Sequence, residues 1–243
     1  MKILLAYKWG RDEEDAMVYE DGSVKWRRDR LSASDDDAAA IASARATAQA
    51  TDGEIVAVTL GNGDVSWAMA RGAARALHDE GLVPGVDEAQ TAARLVALFQ
   101  SEGGADLIVL ADAQKSAGVA GAVAAQLGLP LVSGVRDFAA ADEPGKILAH
   151  RATAAGVEEL EIGLPAVVSV AAVDTEKNVP SMKAMLAARR APVTKVDVED
   201  TSVGHVEVTV FRAPVPHLAK LFEGEPEQAA EQLVATLRAE GVL

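Results

Sequence analysis

The chain has no cysteine among its 243 residues, which excludes a disulfide scaffold, a thiolate metal site and a cysteine nucleophile together. Aromatic residues make up only 4% of it, so the core has to be built from aliphatic side chains and alanine. No segment reaches the roughly 20 consecutive apolar residues that a membrane helix needs. The apolar stretch within Met1 to Lys8 is too short for a signal peptide and reads as a first strand. The expectation is a cytoplasmic chain with no direct membrane insertion. Positive charge is also scarce: 23 Lys and Arg against 37 Asp and Glu leave a formal net charge of −14. That balance opposes long-range attraction to phosphate backbones, so no nucleic acid is expected as a partner. Two basic exceptions, Lys25 to Arg30 and Arg189-Arg190, are each large enough for one small anion or one acidic protein patch; a solvated strand or loop is the simpler reading of the first.

Familiar catalytic patterns are missing too. The four histidines, His78, His150, His205 and His217, lie far apart with no metal-ligand spacing. There is no G-x-S-x-G elbow and no Walker A loop. Gly61-Asn62-Gly63 does not continue into a dinucleotide fingerprint and reads as a tight turn before a helix. Asp35-Asp36-Asp37 sits where a helix begins, a place that favours carboxylates through the helix dipole without any metal. The sequence assigns neither a catalytic residue nor a metal ligand.

What is present is a regular alternation. With 49% apolar residues the chain is long enough to bury a real core. Residues 2 to 8 read as a buried strand, and 36 to 50 as an alanine-dense helix capped by Ser34 or Asp35. Glu54 to Leu60 is a strand, Asp64 to Leu77 a helix, Asp87 to Ser101 a helix with Ala92, Leu95, Val96 and Phe99 on one face, and Ala105 to Ala111 a strand. A helix from Ser116 to Leu127 stops at Gly128-Leu129-Pro130. This rhythm predicts a doubly wound, mostly parallel α/β sheet of the Rossmann-like or adenine nucleotide alpha hydrolase-like kind. Lys146 to Thr153 and Val157 to Ile162 then form a hairpin, and Pro165 to Ala172 a buried strand; these extend the sheet antiparallel at one edge. The expected division is an α/β domain over 1–192 and a C-terminal arm over 193–243, with an amphipathic helix from about Pro226 to Ala239. That helix needs a surface to cover, either a partner or its own domain.

Ligands of open parallel sheets bind outside the carboxyl ends of the strands. Three such places are Ala6-Tyr7-Lys8, Val58-Thr59-Leu60-Gly61 and the run from Ala111 through Asp112, Ala113, Gln114, Lys115, Ser116 and Ala117 to Gly118. The third has small residues and a hydroxyl just before a helix, where a phosphate can approach backbone amides, and Lys115 offers counter-charge.

The stretch Leu164-Pro165-Ala166-Val167-Val168-Ser169-Val170, followed by Thr175-Glu176 and then Pro180-Ser181-Met182 through Arg189-Arg190-Ala191-Pro192-Val193, resembles the signature region of electron-transfer flavoprotein beta subunits. Lys177, Asn178 and Val179 stand where that pattern has proline, arginine and an aromatic. Ala6 and Lys8 match its "AVK" strand, Ser34 to Asp37 fall on "NPFD" with Asp37 retained, Val58 to Gly61 fall on "VSxG", and Met69 to Ala76 resemble "ALAMGADRA". The run 111–121 is shorter than the family's "GKQAIDDDxNQTGQ" and lacks its acidic residues.

The resemblance implies a beta subunit of a heterodimer that shuttles electrons between a flavin dehydrogenase, such as an acyl-CoA dehydrogenase, and a downstream acceptor. It implies FAD held by or shared with an alpha subunit, and AMP or a second FAD in this chain. The nucleotide would lie on Ala6, Lys8, Ser34, Asp37, Val58, Leu60 and the run Asp112 to Gly118. Thr175, Glu176, Val179, Pro180, Ser181, Met182 and Met185 would form the partner-docking segment, with Met182 as the apolar anchor; without the resemblance, Met182 and Met185 read equally well as a helix's inner face. The competing class is an adenine-nucleotide-binding sensor or structural module of universal-stress type.

Overall fold

The computed structural model describes residues 1–11, 15–27, 30–82, 87–111, 116–172, 179–198, 206 and 220–243. It divides into two compact units, Met1–Met17 with Trp26–Thr209, and Val18–Lys25 with Val210–Leu243.

In chain order the first unit opens with β1 (Lys2–Ala6) and β2 (Gly10–Arg11). Next along the chain come β3 (Ala16–Val18) and β4 (Val24–Trp26), of which Val18, Val24 and Lys25 belong to the second unit, and β5 (Leu31–Ser32), which pairs antiparallel with β2. Helix α1 (Asp35–Ala50), β6 (Glu54–Leu60), α2 (Val65–Met69), β7 (Arg75–Asp79), α3 (Glu88–Ser101), β8 (Leu107–Ala111) and α4 (Ala117–Leu127) follow. Beyond them lie β9 (Leu131–Ala140), β10 (Lys146–Thr153), β11 (Gly156–Gly163), β12 (Ala166–Val170), α5 (Met182–Ala188) and β13 (Val193–Lys195).

Among the described residues nine strands form one sheet in the order β11-β10-β9-β12-β8-β1-β6-β7-β13. From β9 across to β13 neighbouring strands run parallel; β10 alone runs against its neighbours β9 and β11. Period-2 alternation along the central strands sends their side chains to two faces. Ile3 and Leu5 join Ile41 and Ala44 of α1 on one face. Leu4 and Ala6 join Leu95, Leu98 and Phe99 of α3 and Val119 and Val123 of α4 on the other. Helices on both faces make the sheet doubly wound, as the alternating pattern predicts, and the strands that read as continuous apolar runs are those covered twice.

Three stretches differ from the sequence reading. The helix expected over 64–77 stops at Met69, because Gly72 turns the chain at φ 119 and Arg75–Asp79 pairs parallel with Val56–Leu60 instead. The Ala-Arg-Ala-Leu text favours helix locally, and strand pairing overrides it. Residues Pro165 to Ala172 do not extend an antiparallel edge: β12 is inserted between β8 and β9, parallel to both. A strand buried at every position, as β12 is, needs a neighbour on each side. That neighbour, β9, was not expected, since Arg136-Asp137 interrupts its apolar pattern. Its register against β12 also shifts between Val168 and Val170, opposite Gly134 at φ 69, as at a bulge.

The second unit holds helix α6 (Pro226–Ala239), with Pro at its start, no buried residue, and Leu233 and Val234 exposed. No described helix is long and apolar enough to cross a membrane.

Phe99 is the largest of the fully buried side chains, at 1% exposure. Phe99→Ala is expected to lower stability by ~3–5 kcal/mol through loss of burial and the cavity left behind, read as a shift of the urea unfolding midpoint.

Candidate functional site

Strand order reverses between β1 and β8: the chain builds outward through β6 and β7, then α3 carries it back across β1 to β8. The crevice outside the carboxyl ends of these two strands is where a doubly wound sheet leaves room for a ligand.

The rim is locked in place by short polar contacts. After β1, Tyr7 N–H donates to Val58 O at 3.1 Å, and its hydroxyl donates to Asp64 O at 2.8 Å. Thr59 Oγ1 donates to Tyr7 O at 3.3 Å. Tyr7 is buried, and desolvation together with the nearby Asp64 charge pushes its hydroxyl well above the ordinary tyrosine range; it stays a neutral donor. Lys8 N–H donates to Asp37 Oδ1 at 3.3 Å. Its ammonium reaches across the crevice and donates to Ser116 Oγ, 3.2 Å away, at the head of α4.

Asp37 is at 1% exposure. Ser34 at the N-cap of α1 donates to it from N at 3.0 Å and from Oγ at 2.6 Å, while Asp37 N–H donates back to Ser34 Oγ at 3.1 Å. This is a reciprocal capping box with Asp at the third position. Of the two cap candidates, the structure selects Ser34. Asp36 accepts Ala172 N–H at 2.7 Å, so the first turn of α1 fastens the ends of both β1 and β12.

Ser116 occupies the N-cap of α4 without capping it; its hydroxyl serves Lys8. One amide of the first turn, Gly118 N–H, donates to Glu88 Oε1 at 3.3 Å, a carboxylate resting where helix geometry favours an anion. The structure thus brings Lys8, Ser34, Asp37, Ser116, Ala117 and Gly118 to one rim. Ala6, Val58 and Leu60 are core side chains, which have only backbone to offer a ligand. Asp112, Ala113, Gln114 and Lys115 lie outside the described residues, as do Thr175 and Glu176. Sequence reasoning placed Tyr7 at the strand's end without giving it a role, and missed Glu88. An acidic residue in a helix's first turn is too ordinary to mark Glu88 as an anion already seated on α4.

A sequence profile of the electron transfer flavoprotein domain matches residues 25–201. The chain belongs to the electron transfer flavoprotein domain family. It is similar to the protein named electron transfer flavoprotein subunit beta in Mycobacterium bovis and in Mycobacterium tuberculosis, 35% identical over 152 residues that make up 60% of this chain and 56% of the relative. The subunit beta of Mycobacterium leprae is 36% identical over a stretch of the same coverage. The alignment therefore spans little more than half the length of the curated relatives.

In this family member the segment Val179 to Met185 caps and builds α5. Ser181 Oγ accepts Ala184 N–H at 3.2 Å, and Pro180 precedes the cap, where it cannot break the helix. Val179 is 74% exposed, Met182 69%, Leu186 57% and Met185 37%. The methionines therefore face away from the core, Ala184 is half-buried and Ala188 is buried.

Burial is the largest cause lifting the Asp37 carboxyl from 3.8 to about 6, against the lowering effect of its hydrogen bonds from Ser34 and Lys8. The folded state thus holds this proton more tightly than the unfolded chain. Its contribution to stability is full below about pH 4 and lost as pH rises through about 6, on the order of 3 kcal/mol in all. Unfolding of the native chain and of Asp37→Asn, followed from about pH 4 to about pH 7, is expected to show the native chain losing stability relative to the variant; parallel curves would contradict it.

Proposed function

We propose that this chain is the beta subunit of a heterodimeric electron-transfer flavoprotein, passing electrons from a flavin dehydrogenase such as an acyl-CoA dehydrogenase to a downstream acceptor in the cytoplasm. FAD is held by or shared with an alpha subunit, and AMP or the adenosine end of a second FAD fills the crevice between β1 and β8. Family membership supports the class of function. The single observation that carries the crevice is the Lys8 ammonium placed 3.2 Å from Ser116 Oγ at the head of an uncapped helix.

A lysine ammonium has three donors and no acceptor; Ser116 takes one, leaving donors for a phosphate oxygen. The first amides of α4 add the helix's positive end. Glu88 holds one of those amides, so a phosphate settling there displaces a carboxylate and exchanges one anion for another. Bound FAD would supply the redox chemistry, and the chain's own residues would orient and neutralise the nucleotide. The exposed Met182, with its flexible thioether, suits insertion into an apolar pocket of the dehydrogenase. Helix α6, with no residue buried in its own unit, is the element proposed to lie on the alpha subunit.

Two experiments test this reading. Denaturing the heterodimer copurified with its alpha chain and weighing the released small molecules is expected to give flavin and an adenosine phosphate. Lys8→Met should reduce the adenosine phosphate about tenfold, the loss of one charge-assisted contact; a colourless pair free of nucleotide would overturn the assignment. Met182→Ala is expected to slow reduction by the dehydrogenase about tenfold with flavin content unchanged, as for loss of an interface anchor. An unaltered rate would remove Met182 from docking.

A further inference from the structure

The polar rim and the exposed methionines leave one feature unused. Behind the exposed face of α5 runs an open groove of about 380 Å³, within the size range of ligand sites, bounded by α1, α2 and α5. Its wall on α5 and the turn after it is alanine: Ala184, Ala187, Ala188 and Ala191. Larger side chains would fill this seam; four alanines leave it open.

Two guanidinium groups flank it. Arg45, on α1, is exposed and makes no ion pair among the described residues. Gly72, at φ 119, lets the arginine stem lie against the turn after α2: a Cβ there would stand 3.0 Å from Arg45 Cδ. Arg71 stacks 4.5 Å over the Trp67 ring and donates from Nη1 to Trp67 O at 3.1 Å. Its Nε is buried without a hydrogen-bond partner, which is costly unless something completes it. Burial lowers its affinity for its proton, against the opposing charge of Asp64. In a chain of net charge −14, two arginines that make no ion pair among the described residues, only Arg71 feeling the charge of Asp64, mark a place beside an apolar slot for an outside acid.

We propose that this groove receives an acidic side chain of the protein that docks on Met182, its carboxylate held by Arg45 and Arg71 and its stem against the alanines of α5. One property selects this occupant, the charge of the two guanidiniums; the groove shares helix α5 with the proposed docking face but lies on its other side. The inference rests on the docking reading above. A carboxylate in the groove would meet the exposed side of the two guanidiniums, so the apolar anchor and the ionic contact would act on opposite sides of one short helix.

The test uses the heterodimer and, as probe, a short Ala-Glu-Glu-Ala peptide blocked at both ends, with its glutamine counterpart as control. Titration is followed by the amide signals of Gly72 and Ala184 and the indole signal of Trp67. The acidic peptide is expected to move these signals at millimolar concentration, the glutamine peptide to leave them, and Arg45→Gln to abolish the response. Arg45 is exposed, so this variant leaves the fold intact; Arg71→Gln serves as the second variant. No response, or an equal response to both peptides, overturns the proposal. In turnover with the dehydrogenase, Arg45→Gln should raise the KM for the heterodimer several-fold with kcat unchanged and flatten the salt dependence of kcat/KM. If Met182→Ala slows transfer and Arg45→Gln does not, the groove falls and the docking face stands. If Met182→Ala has no effect while the peptide still binds, the docking face falls instead. Loss of the copurifying alpha chain in Arg45→Gln would assign the groove to the heterodimer contact and contradict the proposal.

Discussion

Asp37 receives donors from three atoms: Ser34 N, Ser34 Oγ and Lys8 N. A buried carboxylate is costly unless it is so engaged. The consequence here is spatial, because this one group ties the first turn of α1 to the residue after β1. From that fixed backbone Lys8 extends its ammonium across the point where strand order reverses, toward Ser116. The neighbouring Asp36 holds Ala172, so the same turn of helix also anchors the point at which the chain leaves β12 for the segment leading to α5. The candidate nucleotide crevice and the candidate docking helix therefore share a fixed point.

Much of this was legible in the text of the chain, and for physical reasons. The period-2 and continuous apolar runs of β1, β6 and β8 and the spacing of Leu95, Val96 and Phe99 are one-dimensional records of burial. They specify elements wherever burial is one- or two-sided in a regular way. Helix α6 runs from Pro226 to Ala239, the bounds that its proline and amphipathic spacing mark. What was not legible depends on partners distant in sequence. Arg75 to Asp79 has the composition of a helix and becomes a strand because β6 lies open beside it. Leu131 to Ala140 carries charges at 136 and 137 that disguise a strand satisfied by β10 and β12.

The site shows the same split. Lys8, Ser34 and Asp37 were singled out through a family pattern and Ser116 as a hydroxyl just before a helix at a strand's end, and the structure brings them to one rim. Glu88 and the pair Arg45 and Arg71 have no local signature. Glu88 is acidic in a helix's first turn, where acids are common. Arg45 and Arg71 lie 26 positions apart by their numbering, and only the turn at Gly72 brings the one to the other. An acidic chain in which these two cations make no ion pair among the described residues has arranged its charge against the average, and such exceptions carry more information than the net charge of −14.

The most direct test of the account is the crystal structure of the heterodimer purified without added nucleotide. The account predicts density for an adenosine phosphate outside β1 and β8, with a phosphate oxygen within hydrogen-bond reach of Lys8 Nζ and of the first amides of α4, and with Glu88 withdrawn from Gly118. A crevice holding only solvent, with Glu88 still on the Gly118 amide, would contradict it.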